Sequence, residues 1–142
     1  MRLRLFGALL AAFTNTSALA CQCFTEEATL SRFEADGFPP GIEVFHAKVS
    51  RWINAKEVEV EVIEVFASTS RAPTRRLTGA PGAPGDGSCA QSWKPNEVGS
   101  SRIFLSFRTE RGHVITSCTM LSVTEPAVKR LRSVAVRPLK TN

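Results

Sequence analysis

An all-β fold with minor helix is the class that the sequence predicts, and three observations carry it. Two neighbouring segments alternate apolar and polar residues over strand-like lengths, "VFHAKVSRWI" at 44–53 and "EVEVEVIEVFA" at 57–67. Further on, "RIFLSFR" at 102–108 and "HVITSCTML" at 113–121 flank a turn ending at Gly112, the pattern of a hairpin. A shorter strand at 74–78 makes five, with one or two helical patterns at the flanks. Five strands, and a long link between the second and the fourth, fit a five-stranded OB-type Greek-key barrel. A β-sandwich is the rival architecture.

The elements follow in order. Residues 1–20 read as a cleaved signal peptide. Arg2 and Arg4 open it, "LFGALLAAF" forms its apolar run, and "ALA" at 18–20 provides the small-residue cut site. The run is short of the ~20 apolar residues that a membrane span takes, and no later segment approaches that length. Removing 20 of 142 residues leaves 122, the size of one domain, 21–142, with a single core. Arg2 and Arg4 leave with the signal, so the formal charge falls from +5 to +3. That excess is too small to argue for a nucleic-acid partner.

Residues 25–36, "TEEATLSRFEAD", predict a helix capped by Thr25, with Glu26 and Glu27 at the positive end of its dipole and Ala28, Leu30 and Phe33 facing the core. "GFPPG" at 37–41 breaks it. In the first strand Phe45, Ala47 and Val49 share one side, and Asn54 to Lys56 form a turn. The second strand changes phase at Ile63, as a β-bulge would make it do. Its β-branched residues favour a strand over the helix that Val58, Val62 and Val65 would permit. Residues 68–88 read as a link, and its Gly/Pro tract at 79–88 as mobile. In the fourth strand Ile103, Leu105 and Phe107 alternate with more polar neighbours. Thr124, Glu125 and Pro126 start a last helix running to about Ser133, with Val128 and Leu131 inward and Lys129, Arg130 and Arg132 on a solvated face.

All four cysteines, Cys21, Cys23, Cys89 and Cys118, follow the cut. An even number in an exported chain predicts disulfides. Cys21 and Cys23 are too close to bond without strain, so each front cysteine pairs with a distant one. His46 and His113 lie in separate strands, and with the cysteines they match no common zinc spacing. No phosphate loop or hydrolase serine motif occurs, so the expectation is a non-enzyme with no cofactor and no metal of its own. The nine Phe and two Trp fall mostly in apolar strand positions, the pattern of core rather than of a base-stacking platform; only Trp52 and Trp93 are ambiguous.

The Cys-x-Cys start of the mature chain, the "VFHAKV" and "EVEVEVIEVF" strands, "SCAQSWKPNEVGSSRIFLSF" at 88–107 and "TSC" at 116–118 together resemble the netrin-like/TIMP-like domain, the inhibitory domain of the tissue inhibitors of metalloproteinases, in its compact single-domain form. The resemblance runs from Cys21 to about Leu121 and implies the OB-type barrel and the pairing Cys21–Cys89 and Cys23–Cys118. It also implies an inhibitory wedge of Cys21, Gln22 and Cys23. The free α-amine and carbonyl oxygen of Cys21 would chelate the zinc of a target metalloprotease, Gln22 would enter the specificity pocket, and Gly87 and Ser88 would lie on the contact ridge. The chain departs from the family in lacking cysteines for a third bond, in carrying Gln22 where Thr is usual, and in having the short "GDGS" at 85–88. Two other readings stand beside inhibition. One is a secreted netrin-like module binding another protein partner; the other is an envelope lipoprotein acylated at Cys21, which would leave that residue neither thiol nor amine. The expected product is a monomer, secreted to the periplasm or outside the cell.

Overall fold

A computed structural model describes residues 23–80, 89–110 and 112–136. Residues 1–20, expected to be a signal peptide, lie outside the described residues, as do Cys21, Gln22, Gly87, Ser88 and most of the Gly/Pro tract. The elements run α1 (Glu26–Asp36), β1 (Ile42–Asn54), β2 (Glu57–Ala67), β3 (Thr74–Gly79), a 3-10 turn (Pro95–Glu97), β4 (Ser101–Thr109), β5 (Gly112–Ile115), β6 (Met120–Leu121) and α2 (Glu125–Ala135).

The strands pair in the order β1-β2-β3-β5-β4, and β4 returns to β1, so five strands close into a barrel. β4 lies beside β1 after the antiparallel run β1-β2-β3, a Greek-key path. The seam between β3 and β5 is parallel and short, joining Leu77 to His113, Thr78 to Val114 and Gly79 to Ile115. Closure leaves few unpaired strand edges.

Two apolar layers follow from the strand pleat. Phe45, Ala47 and Val49 point into the barrel with Val58, Val60, Leu77, Trp93, Phe104 and Ile115. Val44, Phe66, Ile103, Leu105 and Leu121 face outward and are covered by Leu30 and Phe33 of α1 and by Ala127, Leu131 and Val134 of α2. β4 is therefore buried on both faces in its middle, whereas Phe107 at its end is 44% exposed. The phase change in β2 is a bulge. Ala47 pairs with Val62 and His46 with Glu64, which leaves Ile63 without an opposite number. Before it Val58 and Val60 point into the barrel; after it Phe66 faces the helices.

Four expectations need correction. Ala28 is exposed, because Leu30 and Phe33 alone supply the buried stripe of α1. Residues 113–121 do not form one continuous strand. β5 and β6 both pair with β4 on the edge opposite β1, but a turn at 116–119 separates them. Finally, Arg130 and Arg132 are not merely solvated: Arg130 pairs with Glu27 and Glu34 of α1, and Arg132 with Glu64 of β2. Helix α2 also continues to Ala135, two residues past the expected end.

Candidate functional site

The backbone leading to the chain's front is fixed from both sides. Thr25 caps α1, its Oγ1 accepting from Ala28 N at 3.1 Å, which sets the direction in which residues 23–24 leave the helix. Glu26 in the first turn accepts from Ser122 N and Ser122 Oγ at 2.8 and 2.7 Å, fastening α1 to the link between β6 and α2.

Cys23 is bonded to Cys118, with their Cα atoms 5.0 Å apart. The 116–119 turn presents Cys118. Thr116 Oγ1 accepts from Cys118 N, and Thr119 Oγ1 accepts from Thr116 N while donating to Thr116 O. The interruption between β5 and β6 thus carries the cysteine. Ser117 N donates to Cys89 O at 3.3 Å, which brings the third sulfur alongside. Cys89 Sγ lies 2.7 Å from Cys118 Sγ and 3.9 Å from Cys23 Sγ. No cysteine among the described residues is free, and the expected partner of Cys89, Cys21, lies outside them. One disulfide is therefore described rather than the two expected.

Backbone packing places Cys89. Gly79 ends β3 with its N–H on Lys56 O, and a Cβ there would run into the carbonyl of Gln91. Gln91 N in turn donates to Ala80 O. Only glycine allows the segment carrying Cys89 to cross β3 this closely. Trp93 then plugs the barrel interior, 2% exposed and 6.3 Å from Phe104 between ring centroids. Of the two ambiguous tryptophans, Trp93 is core, and Trp52 lies at the surface with its indole N–H on Trp93 O.

Beside this pinned segment Phe24 projects into solvent, 71% exposed. The Arg32 guanidinium carbon sits 5.3 Å from its ring centroid, a cation–π contact that restrains the ring. Sequence reasoning passed over Phe24, although a lone aromatic between a cysteine and a helix cap was visible.

The two histidines lie apart from the sulfurs. His46, on the outer face of β1, bonds Ser101 Oγ through Nε2 at 2.7 Å. Partial burial holds its pKa below the ordinary value, opposed by the charge of Glu64. His113 is in the barrel wall beside a buried ion pair that sequence reasoning also missed. Arg75 Nη1 donates to Glu43 Oε2 at 2.7 Å, with both side chains almost wholly buried. His113 Nδ1 is 3.2 Å from Ser106 Oγ and 3.5 Å from Glu43 Oε2. Serine and carboxylate meet the same ring nitrogen. A serine–histidine–acid relay needs opposite nitrogens, and Ser106 is fully buried, so the trio lacks that geometry.

No helix among the described residues is long and apolar enough to cross a membrane. No protein-family model and no curated protein matches the chain.

Proposed function

We propose that the chain is an exported netrin-like/TIMP-like domain that inhibits a zinc metalloprotease through its mature N-terminus. The observation that carries this reading is the Cys23–Cys118 bond, which pins the first described residue to the barrel with Cys89 alongside. The closed five-stranded barrel with its two short helices supports the OB-type reading that the resemblance implies. With Cys21 bonded to Cys89, the front of the chain would be a stiff wedge whose tip is the terminus itself.

The chemistry of such a wedge is coherent. A catalytic zinc keeps one coordination position open for water. The α-amine and carbonyl oxygen of Cys21 can displace that water in a five-membered chelate. The amine must be unprotonated, and the ordinary α-amino pKa of ~7.7–8 permits this near neutral pH. Rigidity lowers the entropy lost on binding. Gln22 would then select among proteases by the pocket it fills.

A second reading, a secreted binding module without inhibitory activity, rests on Phe24. An exposed aromatic fixed on a rigid segment suits a protein-binding anchor whatever the partner.

One extra alanine before Cys21 decides between them. It leaves the barrel and the bonds in place but displaces the amine. If the wedge operates, wild-type protein inhibits members of a zinc-protease panel and the extended form loses inhibition by orders of magnitude at unchanged melting temperature. Equal inhibition by both forms rejects the wedge. Failure to inhibit any protease at micromolar concentration leaves the binding module. Mass spectrometry of the mature N-terminus checks the cut before Cys21 and separates a free residue from an acylated one.

A further inference from the structure

We infer that Glu43, Arg75, Ser106 and His113 form an acid-sensitive lock on the closing seam of the barrel. Each comes from a different strand: Glu43 from β1, Arg75 from β3, Ser106 from β4 and His113 from β5. The seam they bridge, β3 against β5, has only three residue pairs and the parallel pairing that is weaker per residue. Polar side chains therefore reinforce a seam whose backbone ladder is short and parallel. Arg75 also reaches outward, Nη2 donating to Ser68 Oγ at 3.1 Å and Ser70 O at 2.9 Å, so the same cation holds the 68–73 connection. Its guanidinium carbon stacks 4.2 Å from the Phe45 ring centroid, and that ring also meets His113 edge-on.

The groups facing His113 come from every strand packed on it. Glu43 offers a carboxylate from β1. Arg75 from β3 and Arg108, its cross-strand neighbour on β4, are cations. Ser106 and Phe45 complete the surround. A proton on the imidazole would add a cation beside Arg75 and Arg108 where the one carboxylate, Glu43, already serves Arg75, in a largely buried site. Burial pushes the His113 pKa down; the charge of Glu43 opposes this, and Arg75 and Arg108 add to it. The closed lock therefore holds a neutral imidazole, and an opened seam, where His113 meets water, takes up the proton. A histidine held below its unfolded pKa contributes stability that is complete above about pH 6.5 and is lost as pH falls from there towards the folded value. Acid thus favours opening. The seam adjoins the sulfur cluster: Ala80 N donates to Ile115 O, and Gln91 N, near Cys89, donates to Ala80 O, while Cys118 follows Ile115 through the 116–119 turn. This inference stands independently of any inhibitory activity.

Hydrogen–deuterium exchange of the disulfide-intact chain between pH 7.5 and 5, corrected for the intrinsic pH dependence of exchange, tests the lock. Opening of β3 and β5 should rise below about pH 6.5, by no more than about tenfold per pH unit, the limit for one proton. His113→Gln should abolish the rise and His46→Gln should keep it. A flat wild-type profile, or an unchanged rise in His113→Gln, overturns the inference. Should His113→Gln fail to fold, imidazole NMR titration of wild type, with His46→Gln to assign the two rings, decides. A His113 midpoint below that of an unfolded histidine supports the lock, and one at or above about 6.5 overturns it.

Discussion

Arg130 on α2 meets Glu34 on α1 as a fork, Nε to Oε1 at 2.8 Å and Nη2 to Oε2 at 2.7 Å. Its remaining Nη1 donates to Glu27 Oε2 at 2.7 Å. A planar guanidinium is suited to such two-pronged contact, and a lysine is not. The fork is the polar clasp over the apolar contact of Leu30 and Phe33 with Leu131 and Val134. Arg130→Met keeps the aliphatic stem and removes the clasp. It should lower the melting temperature modestly, speed hydrogen exchange in 26–36, and remove part of the sensitivity of wild type to added salt. The hydrogen bond from Arg130 first, and then that from Ser31, holds the Glu27 carboxyl below its usual pKa. Its contribution is present above the unfolded value of about 4.3 and fades as pH falls below it. That acid loss should be smaller in Arg130→Met.

Trp93 is the largest side chain in the barrel interior, and among the described residues its indole N–H has no hydrogen-bond partner. Replacing it with Phe removes an unsatisfied donor together with some volume; replacing it with Ala leaves a cavity. Trp93→Ala should cost about 3–5 kcal/mol in denaturant unfolding, and Trp93→Phe clearly less. Trp93→Phe should also strip the blue-shifted part of the fluorescence, leaving the redder emission of the more exposed Trp52.

How much of this was legible depends on how local each cause is. Thr25 capping α1, the inward side of Phe45, Ala47 and Val49, and the bulge at Ile63 all follow from the order of neighbouring residues, and all stand in the structure. The split of 113–121 was not visible, because "HVITSCTML" alternates well enough to pass as one strand. What interrupts it is the Thr116–Thr119 hydrogen bonding that turns Cys118 towards Cys23. Arg130 and Arg132 looked like surface charges since their acidic partners lie 96 to 103 and 68 positions away. The buried Glu43–Arg75 pair was equally hidden, two charges 32 positions apart on strands whose inward faces otherwise read as apolar. Of the candidate site, the Cys23–Cys118 pairing came from the family resemblance, since the spacing alone left more than one long-range pairing open.

Gly79 carries a prediction of its own. A methyl group at this position meets the Gln91 carbonyl, which is backbone and cannot swing aside. Gly79→Ala must displace either the end of β3 or the segment that bears Cys89. Unfolding free energy should fall by about 1–3 kcal/mol, the range for overpacking, and reduction of the cysteines by a mild thiol should become faster. Ala80→Gly, one residue on, should do neither.

The Cys23–Cys118 bond closes a stretch of 95 positions, so in the chain-entropy account it restrains the unfolded chain strongly. Replacing both cysteines with serine should cost about 2–5 kcal/mol in urea unfolding, the range for native disulfides of small domains. Peptide mapping without reduction should recover Cys23 joined to Cys118 in wild type and Cys21 joined to Cys89 in both proteins; Cys21 joined to Cys118 would overturn the proposed pairing. The double variant also separates two roles of the bond. Phe24 is next to Cys23, so losing the bond should free the front of the chain while Glu26 still holds α1 to Ser122. Exchange should then increase at 23–25 far more than at 26–36. If the front segment is the partner-facing wedge, binding or inhibition should fall further than the remaining folded fraction accounts for. Loss in strict proportion to folded protein would assign the bond to stability alone.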